Sequence, residues 1–291
     1  MNLLDVPFIA NNKLIPFLKE SHKISFINER NPILRGGIYH FLISVMQHGG
    51  IRRGNFDLEV ILSYLEENRK YFELETFLNS KKSGIVGRGY KSPNTINLGA
   101  PTGANSLAFP LKEKYTLAEF IPVLLAYHCY HPCGTGGGYV GEALSFKSTH
   151  WTQGVNLFPK GETVQDSLKL WSNFLWEDKD YSRKAPWQGI DLTDTRLNES
   201  PWSLFGHMRE TSFILNDDEV TGVVAARGIA PLPANEGGNI DVRYSQKNEK
   251  CYYPSLNLGD ERYFSAPYEA IALVGDVGKA TVKGCFQRFY T

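Results

Sequence analysis

The sequence predicts an α+β protein, with helices in its first half and antiparallel strands and hairpins in its second. Two patterns carry that prediction. Ile38, Phe41, Leu42 and Val45 fall at i, i+3, i+4 and i+7, the period of a helix with one buried face. Further along, short apolar runs flank Asn216-Asp217-Asp218-Glu219 and Gly275-Asp276-Val277-Gly278, which is the pattern of hairpins. At 291 residues, 42% hydrophobic and 13% aromatic, the chain can build a large core. Folding a chain of this size hides roughly three quarters of its extended surface. One domain spanning 1–291 is expected, divisible into lobes at 1–177 and 201–291.

In chain order, residues 6–10 and 13–17 read as short strand pieces joined by the turn pair Asn11-Asn12. A helix over 37–47 stops at Gly49-Gly50. A second helix starts from an Asn55 cap, carries Leu58, Ile61, Leu62 and Leu65 on one face, and runs towards Leu78. Residues 79–116 change character: Lys81, Lys82, Arg88, Lys91, Lys112 and Lys114 are opposed only by Glu113, and glycines interrupt every pattern. A long basic loop of this kind inside a domain points to function. A third helix over 117–127 leads through His128-Cys129-Tyr130-His131-Pro132-Cys133 into Gly134-Thr135-Gly136-Gly137-Gly138. A fourth, over 164–177, presents Leu168, Trp171 and Leu175. Strands follow at 212–215 and 220–226, and again at 270–274 and 280–285.

Lys and Arg number 31 against 31 Asp and Glu, so the formal charge is zero. That balance excludes a wholly basic nucleic-acid binder and an acidic solvating segment. The cysteines at 129, 133, 251 and 285 form no disulfide framework, which makes a reducing cytoplasm the expected home. The N-terminus lacks a basic start and a small-residue cleavage site, and no apolar run reaches the ~18 residues that a membrane span needs.

Gly136 to Gly141 formally matches G-x-G-x-x-G, but a dinucleotide fold needs a strand directly before it and a helix directly after. Adjacent glycines do supply backbone that can approach a ligand closely. His128, Cys129, His131 and Cys133 are zinc-type ligands, yet so short a span rarely wraps one tetrahedral ion, so buried thiols and no metal are expected. G-x-S-x-G, H-E-x-x-H and S-x-x-K have no supporting context. Glu66-Glu67 and Asp217-Asp218 read as a solvated helix face and a turn. The five tryptophans read as packing residues before base-stacking ones. Nothing points to an enzyme or to a cofactor.

The order of these pieces resembles the N-terminal domain of CasA, the large subunit of the type I-E CRISPR surveillance complex Cascade. The resemblance is carried by MNLLDVPFIANNKLIP at the start, Gly103 to Phe109, Gly134 to Tyr139, Thr152 to Leu157, and Leu204 to Leu215, in that order. It implies recognition of a short protospacer-adjacent motif, the PAM, from the minor groove of target double-stranded DNA, and initiation of the strand separation that forms the R-loop. Gly136, Gly137 and Gly138 would lie against the PAM, with Arg227 where the family has a lysine finger. Asp276, Val277, Gly278 and Lys279 would form the wedge, Lys279 replacing the family's glutamine. Asn105, Phe109 and Lys112 would belong to the loop that contacts guide RNA. The implied partners are guide RNA, target DNA and the backbone, 5′-handle-binding and small subunits. The family's zinc-like cysteine cluster is replaced by the turn at 216–220. The family's C-terminal helical bundle is missing after Thr291, so another subunit is expected to supply the nuclease. The alternatives are a dinucleotide-binding enzyme using Gly136 to Gly141 and a purely structural subunit that caps guide RNA.

Overall fold

A computed structural model describes residues 1–29, 31–97, 112–130, 160–173, 185–188 and 209–227, together with Leu175 and short strands at 134–135, 145–146, 245–247 and 250–252. Within them the order is α1 (Leu14–Glu20), α2 (Pro32–His48), α3 (Leu58–Glu67), α4 (Ser83–Val86), β1 (Tyr115–Thr116), α5 (Leu117–Tyr130), β2 (Gly134–Thr135), β3 (Ser145–Phe146), α6 (Val164–Ser172), β4 (Arg209–Asn216), β5 (Glu219–Arg227), β6 (Ser245–Lys247) and β7 (Lys250–Tyr252). Helices precede the main strands, as the α+β reading requires. The expected strands and hinge over 270–285 lie outside the described residues.

The first expected strand pair is absent. Residues 13–17 enter α1, whose buried Leu14, Phe17 and Leu18 follow helical spacing. Pro16 is tolerated because it sits in the first turn, where its missing N–H has no intrahelical partner to lose. In the preceding segment only Ile9 pairs, with Asn12, across a turn in which Ala10 and Asn11 adopt positive φ.

α2 begins five residues earlier than expected. The Asn31 side chain accepts from the Ile33 and Leu34 amides at 2.9 and 3.4 Å, and Pro32 occupies the first helical position. The helix stops where the Gly49 N–H reaches the Val45 carbonyl and Gly50 turns to φ +83°. Asp57, not Asn55, caps α3, accepting from Glu59 and Val60, and the helix ends at Glu67 before a 3₁₀ turn over Arg69–Phe72. α6 opens with a reciprocal Thr163–Asp166 capping box and is shorter than expected, although Leu175 beyond it is still buried.

β4 and β5 form an antiparallel hairpin around the expected 216–219 turn, with Asp217 at φ +53° and an irregularity between Ile214 and Leu215. β1 joins the outer edge of β5 to give the order β1-β5-β4. β2 pairs with β3, and β6 with β7, each antiparallel.

One continuous core unites α1, α2, α3, α5 and α6 with Phe213, Val220 and Val223 of the hairpin. At its centre Trp187 stacks on Phe72 at 5.6 Å and meets Phe41 edge-on at 5.8 Å. Trp187 and Trp171 are both buried, so these two tryptophans pack the core and offer no face to a base.

α5 crosses α2 at close range. A Cβ on Gly37 would lie 2.6 Å from the Ala126 backbone, and one on Gly36 would collide with the Tyr130 hydroxyl. The two glycines are therefore the contact surface of a helix pair.

Candidate nucleic-acid interface

The hairpin and the segments around it position the candidate residues. The face of β4–β5 that carries Phe213 and Val223 packs on α5, with Phe120 and Phe213 ring centroids 5.2 Å apart. Two contacts fix the direction of α5. Its first residue, Leu117, donates its N–H to the Asp218 carbonyl at 2.9 Å, beside the hairpin turn. Near its last residue, His128 Nε2 meets Thr211 Oγ1 at 3.0 Å, two positions from the strand start at Arg209. α5 thus runs from the closed end of the hairpin to its open end.

The Thr211 hydroxyl donates to the Leu78 carbonyl at 2.5 Å, which leaves its oxygen to accept from His128 Nε2–H and sets the tautomer of the ring. His128 is accordingly a structural residue. Cys129, beside it, is fully buried, and burial pushes its thiol well above the usual range. Both belong to α5, which extends to Tyr130 where sequence spacing predicts a stop at 127. Among the described residues no group of His, Cys, Asp or Glu side chains could hold a metal ion.

After α5 the chain enters β2, whose residues Gly134 and Thr135 pair with Phe146 and Ser145 of β3. Gly136, Gly137 and Gly138 stand in the connection between these strands and lie outside the described residues. A helix and a two-residue antiparallel strand precede them, which is not the parallel strand–turn–helix context that a dinucleotide motif needs.

Arg227 ends β5 and is paired in register with Arg209, the first residue of β4. It therefore stands at the open end of the hairpin, where α5 also ends and the chain departs for β2 and the glycines. Asn105, Phe109 and the wedge residues Asp276, Val277, Gly278 and Lys279 lie outside the described residues.

The expected basic loop over 79–116 is tied down where the structure describes it, at 79–97 and 112–116. Asn79 Oδ1 accepts from the Phe213 amide at 3.0 Å, and the Ser80 N–H donates to the Thr211 carbonyl at 2.8 Å. Lys91 and Val223 exchange backbone bonds of 2.9 and 2.8 Å. Tyr90 and Ser212 hydroxyls meet at 3.0 Å, and Arg88 Nη1 donates to the Ala225 carbonyl at 3.2 Å. Beneath them Ile85, Val224 and Ala226 form a small second core.

Three of the lysines that seemed opposed only by Glu113 have carboxylate partners beyond residue 116. Lys82 binds Glu210 at 2.7 Å, the carboxylate being only 3% exposed, Lys114 meets Glu219 at 3.3 Å, and Lys112 pairs with Glu119. Burial raises the Glu119 carboxyl, but hydrogen bonds from Lys112 and Thr116 outweigh it and hold the group below the usual range. Lys112, expected in the guide-RNA loop, is thus already engaged by a carboxylate. Arg209 escaped sequence reasoning because the strand was expected to start at 212; a longer strand around the same turn would have set it opposite Arg227.

No family model and no curated protein matches the sequence. Solved structures do match. CasA from Thermus thermophilus is 18% identical with a TM-score of 0.68, the match covering 92% of this chain and 60% of that one. Cse1 from Thermobifida fusca is 18% identical with a TM-score of 0.64, covering 80% of this chain and 52% of that one. A protein in a structure described as a CRISPR RNA-guided surveillance complex is 17% identical with a TM-score of 0.67, covering 98% and 68%. The chain thus spans between half and two thirds of the length of the first two, and over that span it has the fold of CasA.

Proposed function

We propose that this chain is the large subunit of a type I CRISPR RNA-guided surveillance complex, recognising the PAM of target double-stranded DNA and initiating strand separation for R-loop formation. The observation that carries the reading is the parallel run of α5 and β5, which sends the chain towards the glycine segment at the same end of the hairpin where β5 delivers Arg227. The fold shared with CasA, and with a chain of an RNA-guided surveillance complex, supports it.

In this reading Gly136, Gly137 and Gly138 let backbone atoms approach base edges in a minor groove only about 6 Å wide. Arg227 meets the acceptors on the groove floor, where a guanidinium favours narrow grooves. Val277 and Lys279, with Asp276 and Gly278, act as the wedge: an apolar side chain enters a base step while a cation holds phosphate. Asn105, Phe109 and Lys112 face the guide RNA, Lys112 as one half of its pair with Glu119. The protein reads the PAM and base pairing reads the rest of the target. The chain acts as one domain in the cytoplasm beside the other Cascade subunits, it performs no chemical step, and a nuclease borne elsewhere cleaves.

A randomised-PAM library presented to the guide-loaded complex containing this chain tests the proposal. Retained duplexes are expected to share a short motif next to the target, and Arg227→Ala to weaken motif-bearing duplexes more than motif-free ones. A library retained without any motif, with guide RNA still bound, would reduce the chain to a structural cap on the guide.

A further inference from the structure

The chain leaves the described residues at Asn97 and returns at Lys112, through two legs fastened to one strand. The entry leg is held where Lys91 and Val223 of β5 exchange backbone bonds of 2.9 and 2.8 Å, and the exit leg where Tyr115 of β1 pairs with Val220. At about 3.3 Å per residue these two points stand only about 10 Å apart along β5. Three further bonds cross between the legs. The Asn94 side-chain amide donates to the Lys112 carbonyl at 2.6 Å, and its oxygen accepts the Tyr115 hydroxyl at 2.7 Å. That hydroxyl in turn accepts from Asn97 Nδ2 at 2.9 Å, so it both donates and accepts across the neck. Tyr115 is buried, Asn94 is half-buried, and Ile96 of the entry leg belongs to the core. The sheet and the core do not depend on this closure. Each leg is already anchored by backbone bonds or apolar packing, and the crossing bonds constrain what lies between them.

We propose that Asn94 and Tyr115 are positioning residues for guide RNA, joining the two legs so that the segment bearing Asn105 and Phe109 meets the RNA from a fixed base. The inference rests on the reading of that segment as the guide contact. The lysines of the exit leg are already paired, Lys112 with Glu119 and Lys114 with Glu219, so the leg contributes placement more than charge. Glu119 also accepts from the Thr116 amide and hydroxyl at 3.2 and 3.1 Å, which ties this leg to the first turn of α5. A segment whose ends are held together has fewer conformations to lose when it binds, and the smaller loss appears as affinity.

The test titrates the full chain onto the other subunits of the complex, loaded with fluorescently labelled guide RNA and free of DNA. Tyr115→Phe and Asn94→Ala remove their shared bond from opposite legs. Each should weaken association about three- to tenfold, the net worth of a hydrogen bond. Phe109→Ala should weaken it as well, and in that background either neck substitution should cost little more, because the neck acts through the same contact. The thermal midpoint of the free chain should hardly move in Asn94→Ala, where water can replace the lost partners; this variant decides the matter if Tyr115→Phe lowers the midpoint. Full association in both neck variants, with loss in Phe109→Ala, would overturn the positioning role and leave the reading of the segment standing. Losses that add in full to that of Phe109→Ala would do the same. Loss in the neck variants without loss in Phe109→Ala, or no effect from any of the three, would sink the reading of the segment and the proposal together. Intact association with poorer retention of a motif-bearing duplex would assign the segment to DNA and overturn the guide assignment.

Discussion

Tyr64 shows how one half-buried hydroxyl contributes to the alkaline limit of this core. Its oxygen accepts the indole N–H of Trp187 at 3.1 Å. Burial pushes its ionisation from 10.0 up to about 12, with the Trp187 bond only partly opposing the shift. The folded protein therefore holds this proton after the unfolded chain has released it. The contribution of Tyr64 to stability falls as pH rises from about 10 and levels off above about 12, at a slope of order 1 kcal/mol per pH unit. Urea midpoints across that range should show the decline. Tyr64→Phe should lower stability near neutrality, by stranding the Trp187 donor, and flatten the alkaline decline. Tyr39 and the buried Cys129 thiol, each raised by its own burial, keep a share of it. An equally steep decline in Tyr64→Phe would refute the assignment.

At the scale of elements, legibility followed the length and regularity of the pattern. Ile38, Phe41, Leu42 and Val45 announced α2, and the 216–219 turn between apolar runs announced β4 and β5. α1 defeats such a reading because its seven residues give barely two turns of periodicity, and Pro16 reads as a breaker unless its place in the first turn is known. The start of α2 was hidden by Gly36 and Gly37, which weaken a helix by propensity and here serve its crossing with α5. Gly37→Val should cost at least about 1–3 kcal/mol, because the new side chain meets Ala126 backbone that cannot rotate away. The loss should appear as a lower thermal midpoint. Gly50→Ala, in open space at positive φ, should cost less and for a purely conformational reason. Equal losses for the two would deny the close crossing.

Across the whole molecule the zero net charge conceals an uneven arrangement that sequence alone could not resolve. The partners of Lys82 and Lys114 lie more than a hundred residues away, so only the fold reveals that their charges are already balanced. The opposition of positions 209 and 227 at the open end of the hairpin is set instead by the turn between β4 and β5 and the register it fixes. Affinity for nucleic acid then depends on few contacts: the isolated chain should bind duplex weakly at physiological salt and gain steeply as salt is lowered. Tight binding at physiological salt would contradict this. The anchoring of the sheet bears on assembly as well. β4 is bordered by Asn79 and Ser80, and β5 by β1 and Lys91, so the amides and carbonyls engaged there cannot template a neighbour's strand. Any subunits that docked against this part of the sheet would do so through side chains and loops. Their packing order around the chain would then be written in surface chemistry, which can diverge quickly while the hairpin beneath stays the same.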